Sequence, residues 1–263
     1  MLRRLSSAML AAAIATPALA QTRAADFTWS GTASAGAEVS VGNISGDIKI
    51  TPSTTGKVEV LGFKRGDSRY FDRIKADVQQ TSRGIVVCVL YDDNSYCDDN
   101  GSHSNRRGGD RNWGDVRMDL EVAVPTTLEV SASSVSGDVD VTGAHGDVRA
   151  NTVSGDIRLD RLHASSVRAN TVSGDVEVRV DEFTGNGDLS FNSVSGDITL
   201  DAPRDFGADI AMSSISGDVN SDFPLTLGSR SMRRGGMEAR VGNGGRRLDF
   251  HTVSGNLRLR SIN

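Results

Sequence analysis

The tetrapeptide Val-Ser-Gly-Asp, with single-residue variants, recurs seven times in this chain. The copies are Ile44–Asp47, Val135–Asp138, Val153–Asp156, Val172–Asp175, Val194–Asp197, Ile215–Asp218 and Val253–Asn256. An internal repeat constrains architecture before any single residue does. Aligned on the glycine, each copy carries an apolar pair upstream, such as Val148/Ala150 or Leu189/Phe191. A second pair follows the Asp, such as Ile157/Leu159 or Ile198/Leu200. Only Val219/Ser221 loses its second apolar member. The unit is apolar-x-apolar-x-x-Val-Ser-Gly-Asp-apolar-x-apolar.

Each half alternates with period two, as a strand with one buried face does. Corresponding apolar positions lie nine residues apart, an odd number, so the chain must break once between the halves. The small polar pair before the Val can turn a corner. The Gly can do so too, because it takes positive φ at no steric cost. The sequence leaves both open. It places the Val in the core and gives the Asp a capping role.

Successive glycines from Gly137 are spaced 18, 19, 22, 21 and then 38 residues apart; the last gap spans two units, in which one coil has drifted or been replaced. The expected fold is all-β: a single-chain parallel β-solenoid of right-handed β-helix type with coils of about 20 residues. An antiparallel sandwich is the alternative, since short strands at regular spacing fit it as well.

Residues 1–20 read as a cleaved signal peptide. Arg3 and Arg4 precede an apolar run, and Ala18-Leu19-Ala20 forms a cleavage site before Gln21. The protein is therefore expected to be exported to the periplasm, the cell surface or the medium, and no later segment is long and apolar enough to span a membrane. Without the signal, 27 basic residues face 34 acidic ones, a net charge of −7. That balance argues against a nucleic-acid partner. Residues 21–34 are expected to be a linker and 35–260 the β-domain, interrupted by a polar loop at 92–115 and an Arg/Gly-rich loop at 222–247. Cys88 and Cys97 are the only cysteines and are expected to pair.

The seven turn pairs, Gly46-Asp47, Gly137-Asp138, Gly155-Asp156, Gly174-Asp175, Gly196-Asp197, Gly217-Asp218 and Gly255-Asn256, are assigned a structural role. A carboxylate row could bind a cation or supply the acids of a glycosidase or lyase. A catalytic pair needs unlike environments, however, and a repeat gives like ones. The Asp-rich stretch 92–101 lacks the spacing of a calcium loop. No nucleophile elbow occurs, and His103, His145, His163 and His251 are scattered. Arg230, Arg233, Arg234, Arg240, Arg246 and Arg247 could meet an anionic surface, though no aromatic residues are interleaved with them. No catalytic, cofactor or metal residue is assigned.

The segment Val39–Ile48, the stretch Leu120–Pro125 leading into the repeats, the repeats themselves and the ending Arg240–Gly245 to Leu259 resemble the bacterial putative-adhesin family of β-strand-repeat proteins, classed as a domain of unknown function. The resemblance spans about residues 35–260. It implies a parallel β-solenoid in or beyond the envelope, with no established catalytic residues. The expected function is a non-enzymatic, adhesin-like or cell-envelope interaction scaffold, a monomer with an unknown partner and no cofactor. The alternatives are a carbohydrate-active β-helix enzyme and a scaffold that binds no ligand.

Overall fold

The computed structural model describes residues 24–92, 94–104, 115–227 and 236–262. The expected cleavage pair Ala20 and Gln21, residues 93 and 105–114 of the polar loop, and Arg230, Arg233 and Arg234 lie outside them. Among the described residues the fold is all-β, with one short 3-10 helix at Ser68–Arg73.

Two large sheets enclose the core. The first has ten strands. Its central run, in spatial order, is Val116–Val124, Ile48–Pro52, Val139–Thr142, Ile157–Ala164, Val176–Phe183, Ile198–Pro203, Leu257–Ile262 and Val219–Ser221, all parallel. The second has eleven. Its parallel run is Gly84–Leu90, Glu38–Gly42, Glu129–Ser133, Val148–Asn151, Val167–Ser173, Leu189–Ser195, Arg246–Ser254 and Ala208–Ser216. From Glu129 to Ser216 the chain alternates between the sheets, one strand in each per repeat. The two apolar pairs of each repeat face each other across the interior, except in the terminal repeat, where Val219 is exposed. Val148, Ala150, Ile157 and Leu159 are each at most 1 % exposed. Burying such side chains contributes roughly 1.5–3 kcal/mol apiece for the larger ones.

The expectation of a purely parallel stack is corrected. The sheets are mixed. Phe27–Gly31 pairs antiparallel with Val58–Gly66, which pairs antiparallel with Val116–Val124. Lys75–Gln80 closes the second sheet antiparallel to Gly84–Leu90. At the other end, Gly236–Val241 lies antiparallel to both Ala208–Ser216 and Leu225–Leu227. These segments lack the tag and its corner; Lys75–Gln80/Gly84–Leu90 and Leu225–Leu227/Gly236–Val241 are consecutive in the chain and pair as hairpins, while Phe27–Gly31 and Val58–Gly66 pair with strands distant in sequence. Together they cover strand edges that a bare parallel stack would leave open. Three expected irregular regions therefore contain strands. Residues 21–34 include Phe27–Gly31, residues 222–247 include Leu225–Leu227 and Gly236–Val241, and residues 92–115 include the hairpin Ser95–Asp98/Gly101–Ser104.

Spatial and sequence orders also part. The last repeat, Arg246–Ile262, is inserted between the repeats centred on Gly196 and Gly217. The long spacing before Gly255 marks a chain that leaves the stack, forms the hairpin strand Gly236–Val241, and returns one rung inward.

Candidate functional surface

The corner built by the tetrapeptides is the most regular surface of the molecule. In space the glycines run 46, 137, 155, 174, 196, 255, 217. All seven have positive φ, between 117° and 156°. A Cβ on Gly174 would lie 2.0 Å from the carbonyl oxygen of Gly155, and one on Gly196 2.0 Å from that of Gly174. The bend therefore sits at the Ser-Gly step, where neither the dihedral nor the spacing admits a side chain.

The residue before each Val is interior. Thr152, Thr171, Ser193 and Thr252 are at most 5 % exposed. Their hydroxyls donate to the carbonyls of Gly137, Gly155, Gly174 and Gly196 in turn, at 3.1 to 3.4 Å. The second member of the small polar pair thus forms a hydrogen-bonding column, and the pair itself continues the strand rather than turning the corner.

The Asp column forms a ladder between rungs. Asp47 Oδ1 accepts the backbone N–H of Asp138 at 3.0 Å, and Asp138 Oδ1 that of Asp156 at 2.9 Å. Asp156 Oδ1 accepts from Asp175 at 2.9 Å, and Asp175 Oδ1 from Asp197 at 2.8 Å. Asp197 Oδ1 accepts from Asn256, whose own Oδ1 accepts from Asp218 at 3.0 Å. The Asp side chain accepts the amide N–H of the next repeat rather than one of its own turn. Asp119 starts the ladder by accepting from Asp47, although no tetrapeptide surrounds it. Burial acts to raise the Asp197 carboxyl. The Asn256 amides and Arg258 outweigh that and hold it below the ordinary aspartate range.

The expected inward Val is corrected. Ile44, Val135, Val153, Val172, Val194 and Val253 are 37–47 % exposed, and Ile215 on the terminal rung 79 %. Parity explains this. Positions 148, 150 and 152 face inward, so 153 faces outward. The seven side chains form one apolar ridge along the stack, with the Asp ladder on one flank. On the other flank Asn170 Nδ2 donates to Asn151 Oδ1 at 2.9 Å, and Asn192 Nδ2 to Asn170 Oδ1.

The outer face of the first sheet alternates in charge. Glu121, Lys49, Asp140, Arg158 and Glu177 occupy successive rungs of one row, and Asp201 pairs with Arg260 in another. Opposite charges on neighbouring strands stabilise; like charges would repel.

The remaining expected residues are dispersed. His145 and His163 stack at 4.4 Å on adjacent rungs, and His163 meets Glu182 at 3.2 Å. His103 pairs with Asp98, while His251 continues the outer row of Asn192. Asp92 and Asp98 cap their own turns through Asn94 and Asn100. Among the described residues no three His, Cys, Asp or Glu side chains converge as metal ligands. Arg240 is paired with Asp209 and Arg247 with Asp249. Arg246 is buried. It donates to the carbonyls of Ser165 and Gly187 at 3.2 Å and to that of Gly185, and its guanidinium lies 3.9 Å from the Phe183 ring centroid. The Cys88 and Cys97 sulfurs are bonded.

A broad polar groove of about 760 Å³ lies beside Arg246. Asp181, Glu182, Asn186 and Asp205 line it. Asp181 is held by Arg179 at 3.0 Å, and Glu182 by His163.

A family model described as Toastrack DUF4097 matches residues 18–260. Among solved structures, a putative cell adhesion protein from Clostridium sporogenes ATCC 15579 is similar over 90 % of this chain and 99 % of that one, with a TM-score of 0.51 and 9 % identity. A putative adhesin from Bacteroides fragilis NCTC 9343 aligns over 90 % and 96 %, with a TM-score of 0.44 and 15 % identity. At 9 % identity the likeness to the Clostridium sporogenes protein concerns fold alone. No curated protein matches.

Proposed function

The chain belongs to the Toastrack DUF4097 family, and from that membership we propose that it is a non-enzymatic, exported interaction scaffold whose parallel repeats act as a β-solenoid. One observation carries the non-enzymatic reading. Asn256 occupies a rung of the Asp ladder and makes the same bonds as its neighbours, accepting an N–H through its own Oδ1. A position that an amide fills equally well works as a hydrogen-bond acceptor, with no demand for a titrating acid. The description of the Clostridium sporogenes protein as a putative cell adhesion protein supports an adhesin-like role at the envelope. Export would follow cleavage between Ala20 and Gln21, with the Cys88–Cys97 pair oxidised in the same compartment.

Affinity capture from envelope fractions, with the full mature chain as bait, tests this reading. A specific envelope polymer or protein should be retained. The polar groove favours a second reading, a carbohydrate-active enzyme using Asp181 or Asp205. Turnover of a uronic-acid polymer that Asp181→Asn or Asp205→Asn abolishes would establish it and overturn the scaffold.

A further inference from the structure

We propose that the apolar ridge is a self-association surface, and that its occupant is the same ridge on a second copy of this chain. Its rungs are contiguous, because the serines that follow Ile44, Val135, Val153 and Val172 are bridged one to the next, as are those that follow Val194, Val253 and Ile215. Seven rungs at strand spacing make a strip about 29 Å long. Six half-exposed Val and Ile side chains and the largely exposed Ile215 present on the order of 500 Å², within the roughly 300–600 Å² of the largest apolar patch on a typical monomer. The Ser and Asp shoulders widen the strip towards the about 800 Å² per partner of a standard interface.

Period selects the occupant. The ridge repeats about every 4.8 Å. An extended peptide laid along it repeats its facing side chains about every 6.6 Å, and a helix turns about every 5.4 Å. Both fall out of step within a few rungs. A second stack of strands has the same period and stays matched along the whole strip, as side chains do in the dry seam between paired sheets.

Charge selects the orientation. A two-fold axis parallel to the stack sets the Asp ladder of each copy against the amide row of Asn151, Asn170 and Asn192 on the other. An axis across the stack would bring two carboxylate rows face to face. The parallel arrangement places each rung opposite its own equivalent, so Val153 meets Val153 of the partner subunit. In the antiparallel arrangement centred on Val172, Val153 would meet the partner's Val194.

Sedimentation equilibrium of the full mature chain, beside the double variant Val153→Lys/Val172→Lys, tests the association. The parent should dimerise with rising concentration, and the variant should remain monomeric with an unchanged melting profile. Air oxidation of Val153→Cys tests the register independently of any charged variant and should give a covalent dimer through residue 153. A parent monomeric at every concentration, a Lys variant that associates as the parent does, or a Val153→Cys dimer with no cross-link would each overturn the proposal. If the Lys variant does not fold, the cross-link decides.

Discussion

Asp156 Oδ1 accepts the backbone N–H of Asp175 at 2.9 Å, and the two residues are 19 positions apart in the chain. The bond joins consecutive repeats at their corners and needs an oxygen, with no requirement for charge. Asp156→Asn should therefore shift stability by no more than about 0.5 kcal/mol. Asp156→Ala leaves the Asp175 amide without its acceptor and should cost about 1–2 kcal/mol. Urea midpoints of the two variants check this; equal losses would show that charge, and not the acceptor, matters at this rung.

The glycine beneath that ladder is less tolerant. Gly174→Ala sets a Cβ 2.0 Å from the Gly155 carbonyl oxygen at a φ of 145°. Two rungs must separate to admit it, at a cost of roughly 3–4 kcal/mol. Gly56 also has positive φ, at 73°, but nothing lies within 4 Å of its would-be Cβ. Gly56→Ala should cost only about 1 kcal/mol, the dihedral penalty alone. Melting temperatures of the pair separate crowding from conformation.

That contrast also shows what the sequence could reveal. Strand positions, inward pairs and the existence of a corner were legible because period-two alternation survives seven times. The facing of Val153 was legible in principle: continuing the parity of Val148 and Ala150 through Thr152 turns Val153 outward. Its apolar character and its place in the repeat favoured the opposite assignment. The insertion of Leu257 between Ile198 and Val219 was not legible. Equivalent repeats offer equivalent edges, so local pattern carries no information on which edge a returning strand takes. Arg246 was visible only as one Arg among several near Gly244 and Gly245, since its partners are backbone carbonyls, which leave no mark in sequence.

Cys88 and Cys97 sit in a small cluster with Val86 and Leu90, apart from the main core. A cross-link closing so short a segment stabilises by about 2–3 kcal/mol in the chain-entropy account. Thiol titration of denatured, unreduced protein should find no free thiol. Reduction should lower the unfolding midpoint while leaving the far-ultraviolet spectrum of the native state in place.

Asp140 lies in the charged row between Lys49 and Arg158. Burial pushes its carboxyl up. Arg158 opposes the rise, Asp138 and Asp47 add to it, and Lys49 opposes it. The folded protein thus holds this proton more tightly than the unfolded chain, whose aspartate titrates near 3.8. As pH rises from that value through the raised folded one, this residue's contribution to stability is lost. Asp140→Asn should therefore raise the urea midpoint at pH 7 and leave it nearly unchanged at pH 3. A variant less stable than the parent at pH 7 would show that the flanking cations outweigh burial.

Arg246 belongs to the returning repeat, yet it binds carbonyls of Ser165, Gly185 and Gly187 on the loops between earlier strands. Burial lowers its affinity for the proton, but a guanidinium stays charged. The ion is stabilised by the carbonyl fan and by the Phe183 ring beneath it. Lysine keeps the charge but is a point donor that cannot span three carbonyls. Arg246→Lys should cost about 2 kcal/mol, and it should speed amide exchange in residues 184–188 ahead of the rest of the molecule. The neighbouring Arg247 is exposed and paired with Asp249, so Arg247→Lys should change stability by less than about 0.5 kcal/mol. Equal effects of the two variants would mean that the carbonyl fan does not fasten the returning strand.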